Sequence, residues 1–343
     1  MKHEIVIVGA GIAGLSCART LAEAGQVPLI LERSYQPGGR LATRELHGQS
    51  FDFGVVFGAS SKADFLAWAR DAGGDAWRSW PQLVEGEGTP CQPSSFHANT
   101  TRFALRGGLN RLAQAEAGRA VAAGAVLRCN AEVTALAPHA EGIELRLGGE
   151  TLVARHVILA LAPGQTRQLL ATAGANPVAL ALIAVLDLYP SLPCLTVAAV
   201  YPEGVPVPTW DVAYPSDSRI LQLASNEGAK HASGPTQAGP TTLVFQARSA
   251  WSQQHLGDEK ATWTRELLAD AARLWGDWVL SPIAARSHRW QYSRLDGSGT
   301  AQRPLVQPLG GGTLTLIGEL FGPEAGLEGA WRSGRLAAGQ LRS

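Results

Sequence analysis

The sequence predicts an α/β protein, because a strand, a helix and a second strand follow one another at its start and the same alternation continues later. Residues 4–8 form a short, mostly apolar run of the kind found in buried parallel strands. Residues 12–24 carry apolar side chains at helical spacing, and Gly25 follows where a glycine commonly ends a helix. Residues 27–31 are again apolar, so the chain opens with a β-α-β unit.

The remaining elements are predicted from the same patterns. Further strands are expected at residues 125–134, 141–147, 151–161 and 313–317, and helices at residues 258–275 and 329–340. Proline and glycine mark loops, expected on a second domain, at residues 81–93, 202–208 and 228–240.

Composition excludes several classes of protein. Lys and Arg number 29 and Asp and Glu number 29, so no basic field attracts nucleic acid or an anionic membrane. The four cysteines lie far apart without a C-x-x-C pair, which argues against metal sites and disulfides and predicts a reducing, cytoplasmic compartment. No apolar run reaches the roughly 18–20 residues that a membrane span needs.

Residues 9–14 form the pattern Gly-x-Gly-x-x-Gly between the first predicted strand and helix. Gly9 permits the tight turn, Gly11 lets the backbone approach a pyrophosphate, and Gly14 lets the helix pack closely on the strand. The helix N-terminus then presents free N–H groups and partial positive charge to the phosphates. Glu32 ends the second strand, where a carboxylate accepts hydrogen bonds from ribose hydroxyls. The motif therefore predicts dinucleotide binding, and it suits NAD and FAD equally.

The segment that follows Glu32 resembles the flavin-containing amine oxidase superfamily, in which E-R-x-x-x-x-G-G-R comes after the first β-α-β unit. Arg33 and Arg40 occupy the arginine positions, which in that superfamily lie by the adenosine and the diphosphate of FAD. Gly39 belongs to the glycine pair that lets the loop turn over the cofactor. The resemblance therefore selects FAD over NAD.

Further segments resemble the same superfamily in the same order. Residues 51–54 resemble its D-x-G segment near the isoalloxazine ring. Residues 129–134 resemble the strand whose backbone holds the adenine, with Val133 at the contact position. Residues 157–163 resemble the strand that ends in A-x-P.

The C-terminal part completes the resemblance. Gly318 and Glu319 stand where the superfamily usually has Gly-Asp, and the longer carboxylate can still reach the ribityl or diphosphate region. A helix from about Gly329 is expected to point at the pyrimidine edge of the flavin, where its positive end stabilises negative charge on the reduced ring. This motif contains no cysteine, so the resemblance implies noncovalent FAD. The residues implied for FAD binding are Gly9, Gly11, Ile12, Ala13, Gly14, Glu32, Arg33, Gly39, Arg40, Asp52, Gly54, Val55, Val133, Ala162, Pro163, Gly318, Glu319, Leu327, Glu328, Gly329 and Ala330.

The resemblance narrows to the renalase-like branch of the superfamily. Residues 245–255 resemble its strand followed by W-S-x-x-H, residues 287–292 its H-R-W-x-Y segment, and residues 107–109 its loop before a helix. This branch implies hydride transfer from wrongly reduced NAD(P)H isomers to flavin N5, with O2 reoxidising the flavin and yielding H2O2. A dihydropyridine needs no general base, because its product is an aromatic cation.

The substrate pocket is predicted to include Trp290, Gln246, Val56 and Tyr292. Relatives often have Ala-Gln after D-x-G, where this chain has Val55 and Val56, and often have His where it has Gln246. Both departures make the predicted pocket less polar.

Two alternatives stay open. The first is an amine oxidase or desaturase acting on a small amine or apolar metabolite, which the less polar pocket favours. Its amine version is opposed because no lysine lies in a motif; the lysines are Lys2, Lys62, Lys230 and Lys260. The second is a protein that binds FAD without turnover.

The predicted architecture is an FAD/NAD(P)-binding Rossmann-like domain with an inserted mixed, mainly antiparallel α+β substrate domain. The FAD-binding domain is expected to comprise residues 1–78, 101–168 and 283–343. The substrate domain is expected to comprise residues 79–100 and 169–282.

Overall fold

The computed structural model describes residues 2–86, 88–231, 240–297 and 299–341. Its strands are β1 (Lys2–Val8), β2 (Leu29–Leu31), β3 (Thr43–Leu46), β4 (Gln49–Asp52), β5 (Gly58–Ser60), β6 (Trp77–Ser79), β7 (Val84–Glu85), β8 (Thr101–Leu105), β9 (Val126–Arg128), β10 (Ala135–His139), β11 (Gly142–Leu147), β12 (Glu150–Leu159), β13 (Ser191–Tyr201), β14 (Val212–Ala213), β15 (Leu221–Asn226), β16 (Thr241–Ala247), β17 (Ala284–Leu295), β18 (Leu305–Leu309) and β19 (Gly312–Leu316). Its α-helices are α1 (Ile12–Glu23), α2 (Ala63–Gly73), α3 (Asn110–Ala122), α4 (Pro163–Ala171), α5 (Pro177–Asp187), α6 (Glu227–His231), α7 (Ser249–Gln254), α8 (Lys260–Trp275) and α9 (Gly326–Gln340). Short 3-10 helices lie at Gly39–Leu41, Gly74–Ala76, Pro93–Phe96, Asp277–Leu280 and Glu319–Phe321.

The chain divides into two compact units. The first comprises Met1–Gly39, Leu112–Ser191 and Arg294–Ser343, and the second comprises Arg40–Arg111 and Leu192–Ser293. No helix among the described residues is long and apolar enough to cross a membrane.

An eight-stranded sheet forms the centre of the first unit. Strands β9, β2, β1, β12 and β19 run parallel in that order. Strands β10, β11 and β18 extend it with antiparallel pairings. Residues of β1 such as Val6 and Ile7 are fully buried, as expected for a parallel strand covered on both faces.

Helices α1 and α9 approach each other closely in the first unit. The Ser16 hydroxyl donates a hydrogen bond to the Trp331 carbonyl at 2.9 Å. A Cβ placed on Gly334 would overlap the Ala13 carbonyl oxygen and would lie 2.9 Å from the Cys17 amide nitrogen. The contact therefore requires a residue without a side chain at position 334.

The second unit is built on a six-stranded sheet in the order β17-β13-β16-β15-β14-β7. The pairs β13–β16, β16–β15 and β15–β14 are antiparallel, and β14–β7 is parallel. Helix α8 contributes Trp263 and Leu267 to its apolar core, and both are fully buried. A two-stranded sheet (β3–β4) and a three-stranded sheet (β5-β8-β6) complete this unit. The predicted α/β class, with a Rossmann-like unit and a second, mainly antiparallel unit, is confirmed.

Several predicted element boundaries were wrong. The strand expected at residues 125–134 ends at Arg128, and β10 begins only at Ala135. Strand β10 was missed because Pro138 interrupts its pattern; β10 pairs only with β11, at the end of the sheet order, where proline is tolerated. The last helix begins at Gly326 rather than at residue 329. In the loop expected at residues 228–240, α6 extends to His231, and residues 232–239 lie outside the described part.

The boundaries of the compact units differ from those of the predicted domains. Residues 40–78 and 101–111 lie in the second unit, where Phe51 and Phe53 pack against Ala198 and Val244. Residues 169–191 lie in the first unit, and α5 adds its apolar side chains to that unit's core. Which unit contacts substrate stays a prediction.

We expect Gly334→Ala to lower the free energy of unfolding by about 1–3 kcal/mol, because the added methyl group must push α9 away from α1. The matched control is Gly339→Ala in the same helix, where a Cβ meets no atom within 4 Å. Helix propensity should make that variant up to about 1 kcal/mol more stable. Urea unfolding of both variants measures the difference, and equal stabilities would contradict the close packing.

Candidate functional site

The turn between β1 and α1 has the geometry that its glycines predict. Gly9 has a φ of 104°, and its N–H donates to the Leu31 carbonyl at 2.8 Å. A Cβ on Gly14 would overlap the Gly9 carbonyl oxygen and would lie 3.1 Å from the Ala160 Cβ. Gly9 and Gly14 therefore allow a left-handed turn and a close approach of the helix to the strand.

The space next to Gly11 is open. A Cβ on Gly11 would meet no atom within 4 Å, although its φ of −73° suits any residue. Gly11 caps α1 without a side-chain hydrogen bond, so the first turn, with Ile12 and Ala13, has no side-chain cap on its N–H groups. A Cβ on Gly39 would come within 3.5 Å of the Gly11 Cα, which places the second glycine motif beside the first.

Glu32 is held by the backbone around it. Its Oε2 accepts a hydrogen bond from the Ala10 N–H at 2.8 Å, and its Oε1 accepts one from the Ser34 N–H at 2.8 Å. The side chain is buried, and each carboxylate oxygen keeps a lone pair for a further donor. Arg33 is exposed. The carboxylate is thus fixed at the end of β2, beside the glycine turn.

Two other predicted segments also lie in the first unit. The Ala131 N–H donates to the Glu32 carbonyl at 2.9 Å, which brings the chain before half-buried Val133 to the end of β2. Ala162 and Pro163 start α4 next to the carboxyl end of β12. These positions follow from strands that end at one edge of the sheet.

The C-terminal segment is closely packed. Gly318 has a φ of 137°, and its N–H donates to the Ser333 hydroxyl at 3.0 Å. Glu319 and Glu328 are buried, and Glu328 forms a 2.7 Å ion pair with Arg332. The remaining predicted residues, in the first two turns of α9, are Leu327, Gly329 and Ala330.

In the second unit, the backbone of residues 52–55 (the 52–55 segment) is hydrogen-bonded to neighbouring side chains and backbone. The Phe53 carbonyl accepts a hydrogen bond from Trp290 Nε1 at 3.0 Å. The Gly54 carbonyl accepts one from Gln246 Nε2 at 2.6 Å. The Val55 N–H donates to the Arg40 carbonyl at 3.0 Å. A Cβ on Gly54 would overlap that Arg40 carbonyl oxygen, so the segment requires glycine there.

The predicted pocket residues therefore have definite partners. Trp290 and Gln246 lie together at the 52–55 segment and donate their side-chain N–H groups to it. Val56 is buried in an apolar cluster with Trp80 and Tyr214, and half-buried Tyr292 accepts a hydrogen bond from Gln291 at 3.2 Å. Their roles toward substrate stay predictions.

Asp52 anchors the start of the 52–55 segment inside a buried ionic cluster. Its Oδ2 accepts a 2.9 Å hydrogen bond from Lys230 Nζ. Its Oδ1 accepts hydrogen bonds from the Thr43 hydroxyl at 2.6 Å and the Leu109 N–H at 2.9 Å. The Asp52 N–H donates to Glu227 Oε2 at 2.8 Å. The side chains of Lys230, Asp52 and Glu227 are fully buried.

Helix α6 completes this cluster. Lys230 Nζ lies 2.6 Å from Glu227 Oε1 and 4.8 Å from the centre of the Trp80 ring. His231 Nδ1 accepts a hydrogen bond from the Gly107 N–H at 3.2 Å, and its Nε2 lies 3.5 Å from Glu227 Oε2. Asp52, Glu227 and His231 have oxygen and nitrogen atoms close enough to hold a cation. The Lys230 ammonium already supplies positive charge to both carboxylates, so the cluster is a buried salt bridge.

Two family models match the sequence. Residues 7–64 match the NAD(P)-binding Rossmann-like domain, and residues 53–342 match the flavin containing amine oxidoreductase. The chain belongs to the flavin-containing amine oxidoreductase family.

Curated relatives of this family member match it over short segments. A putrescine oxidase from Kocuria rosea is 28% identical over 116 residues, which are 34% of this chain and 24% of that protein. A 15-cis-phytoene desaturase from Synechococcus elongatus is 43% identical over 59 residues, which are 16% of this chain and 12% of that protein. The matched segments therefore span a quarter or less of these two relatives.

Solved structures match over the whole length. A cyclohexylamine oxidase from Brevibacterium oxydans IH-35A superposes with a TM-score of 0.71 at 14% identity, covering 99% of this chain and 98% of that one. A wild-type putrescine oxidase bound to putrescine gives a TM-score of 0.67 at 14% identity, covering 100% and 99%. These matches support the fold.

The family is one of flavin-containing oxidoreductases, which implies a flavin cofactor. The first unit fits such a cofactor: the space at Gly11 can admit a diphosphate, the N–H groups of α1 face it without a side-chain cap, and Glu32 can accept from a ribose. In contrast, none of these similar proteins is named as a member of the renalase-like branch.

Sequence reasoning missed Lys230 and Glu227. Lys230 lies in residues 228–240, which the sequence predicts to be a loop, and Glu227 immediately precedes that segment; no motif includes Lys230. The available signal was local: Glu227 and Lys230 stand at i and i+3 directly after β15, whose residues are all buried.

The cluster shifts the acidity of both carboxylates. Burial raises the pKa of Asp52 although Lys230 opposes it. Burial also acts to raise the pKa of Glu227, but the Lys230 ammonium, His231 and the Asp52 N–H outweigh it and lower that pKa to about 2. The negative charge at Glu227 is therefore the more firmly held of the two.

We expect the stabilising effect of Glu227 to depend on pH. Its folded-state pKa of about 2 lies below the ordinary value of 4.5, so its contribution is fully present above about pH 4.5 and is lost as the pH falls toward 2. Glu227→Gln should lower the free energy of unfolding at pH 7 by about 3 kcal/mol, with a gap to wild type that narrows at pH 3.

Urea unfolding at pH 7, 4.5 and 3 checks this expectation. Exposed Glu45, changed to Gln, serves as the control that should leave stability unaltered within about 0.5 kcal/mol. A gap for Glu227→Gln that stays constant from pH 7 to pH 3 would show that its carboxylate is not the ionised partner of Lys230.

Proposed function

We propose that the protein is a renalase-type flavin oxidase, which binds FAD noncovalently and takes hydride from wrongly reduced NAD(P)H isomers. The observation that carries this proposal is the state of its lysines. Lys230 is fully buried on two carboxylates, while Lys2, Lys62 and Lys260 are exposed. The ammonium at the start of the 52–55 segment is thus already engaged by two carboxylates, which argues against its use as the base that an amine substrate would need.

A substrate that needs no base suits such a site. An ammonium substrate must lose a proton before hydride can leave its carbon, whereas a dihydropyridine becomes an aromatic cation by losing hydride alone. Trp290 and Gln246 direct their N–H groups to backbone carbonyls, so they offer shape and position rather than acid or base. Binding the dihydropyridine in one orientation would then supply most of the catalysis.

The proposed cofactor contacts are those of the sequence-based assignment. Gly11, the first turn of α1 and Glu32 would hold the adenosine diphosphate, and the family resemblance implies that the 52–55 segment would lie by the isoalloxazine ring. When bound, the cofactor would supply the redox chemistry, namely a hydride acceptor at N5 and, in its reduced form, the two electrons that convert O2 to H2O2. The chain's own task is to bind both molecules and orient them.

An amine oxidase or desaturase is the second candidate. It is supported by the names of the similar proteins, which include oxidases of putrescine and cyclohexylamine and a phytoene desaturase. The apolar surroundings of Val56 also favour an apolar substrate. An FAD-binding protein without turnover is the third.

Anaerobic flavin bleaching separates these candidates. The purified, FAD-loaded protein is mixed with wrongly reduced NAD(P)H isomers, with ordinary NAD(P)H and with putrescine or cyclohexylamine, and absorbance near 450 nm, roughly where oxidised flavins absorb, is followed. We expect fast bleaching by the isomers alone, and H2O2 on admitting air. Bleaching only by the amines would replace the proposal with the second candidate, and bleaching by none of the donors would leave the third.

We expect Gly11→Ala to fold normally and to lose FAD. The added methyl group meets no protein atom within 4 Å, but it occupies the space in which we place the diphosphate. The affinity for FAD should fall at least tenfold, measured by flavin fluorescence titration, with unchanged thermal unfolding of the apoprotein. Gly118→Ala, an exposed helical position with equally open surroundings, is the control that should bind FAD like wild type. If Gly11→Ala bound FAD with wild-type affinity, the diphosphate could not occupy the space beside this turn.

A further inference from the structure

Lys230 and its partner Glu227 hold both the side chain and the backbone of Asp52, the first residue of the 52–55 segment. Its ammonium touches the Asp52 carboxylate at 2.9 Å, and the Asp52 N–H is bound by Glu227, the other partner of the same ammonium. Both the side chain and the backbone of Asp52 are therefore fixed by one lysine–glutamate pair from α6. The next residues, Phe53 and Gly54, present their carbonyls to Trp290 and Gln246.

The same cluster also holds the loop before α3. The Leu109 N–H donates to Asp52 at 2.9 Å, and the Asn110 N–H donates to the Thr43 hydroxyl at 3.0 Å. The Gly107 N–H donates to His231, the residue next to Lys230. Segments distant in sequence are thus hydrogen-bonded to the cluster around Lys230.

We propose that Lys230 is a positioning residue, which fixes Asp52 and through it the backbone of the 52–55 segment against the flavin ring. This inference rests on the proposed function for the position of the ring. Lys230 itself does not touch substrate: its side chain is fully buried, and its ammonium is directed to Asp52 and Glu227. Its effect on the reaction passes through the position of the segment.

Physical arguments distinguish positioning from stabilisation. A buried salt bridge can often be replaced by apolar residues without loss of stability, whereas leaving one buried charge unpaired is costly. The single variant Lys230→Met leaves two unpaired carboxylates. The double variant Lys230→Met with Glu227→Gln keeps the formal charge of the three residues at that of wild type, with Asp52 as its one anion. The double variant therefore avoids the second unpaired carboxylate, and Asp52 keeps the hydrogen bonds from the Thr43 hydroxyl and the Leu109 N–H.

The experiment compares wild type, Lys230→Met, the double variant and the control Lys62→Met, which changes an exposed lysine. Amide hydrogen exchange is measured in peptides that cover residues 49–57. For FAD-loaded protein, the flavin spectrum, the midpoint potential and the anaerobic rate of reduction are measured as well. We expect at least tenfold faster exchange in the double variant and in Lys230→Met, and wild-type exchange in Lys62→Met.

The flavin readouts should move in the same two variants. We expect the rate of reduction to fall at least tenfold, because displacements of about 1 Å can cost a hundredfold in rate. A tenfold change in the reduction equilibrium would appear as a potential shift of about 30 mV for a two-electron couple. FAD affinity should change less than threefold, because Lys230 lies outside the proposed diphosphate site.

Two results would overturn the inference. The first is a double variant with wild-type exchange, spectrum and potential, because the salt bridge would then contribute only stability. The second is faster exchange in residues 49–57 with an unchanged flavin potential and rate. The potential, determined by photoreduction, needs no substrate, so a wrong substrate class leaves this test intact. If wild type bound no FAD, the proposed function would fail, and unchanged exchange in the double variant would still refute the positioning role.

Discussion

A fully buried ammonium between two fully buried carboxylates is the interaction on which the second unit's candidate site depends. Each of these charges loses its hydration on folding, and removing the ammonium would leave two carboxylates unpaired in a medium of low polarity. Lys230 therefore ties α6 to β4, and β4 leads directly into the 52–55 segment. The hydrogen bonds from Trp290 and Gln246 act on a backbone whose starting point is already fixed.

The first unit solves a different problem, which is to combine close packing with an open space. Gly14 and Gly334 stand where a side chain would overlap neighbouring backbone, so α1 can lie close to both the strand and α9. Gly11 stands in the same turn, but nothing fills the position of its missing side chain. Packing alone would permit alanine at Gly11 and forbid it at Gly14. The diphosphate that we propose for this open space would explain why Gly11 also carries no side chain.

The sequence predicted well what depends on neighbouring residues. The β-α-β unit and Glu32 follow from periodicity and glycine spacing, and the structure places them within a residue or two. Lys230 could not be predicted in this way, since its partner Asp52 is 178 positions distant and its local segment resembles a loop. Trp290 and Gln246 are predicted from the sequence to line a pocket. Their positions in the sequence could not show that their N–H groups donate hydrogen bonds to the carbonyls of Phe53 and Gly54. Strand β10 was hidden by a proline that only its place at the end of the sheet makes acceptable.

The polar composition of the cluster has a reason beyond the attraction of its charges. Apolar residues of similar volume would remove the desolvation cost, but they would also remove the acceptors of several backbone N–H groups. Asp52 and Leu109 donate to the two carboxylates, and Asn110 donates to a hydroxyl that itself binds Asp52. Each such N–H group, buried without an acceptor, would cost about 1–3 kcal/mol. Because the carboxylates satisfy this backbone and Lys230 offsets part of their charge, the cluster is best understood as the solution to a hydrogen-bonding requirement at the junction of β4, α3 and α6.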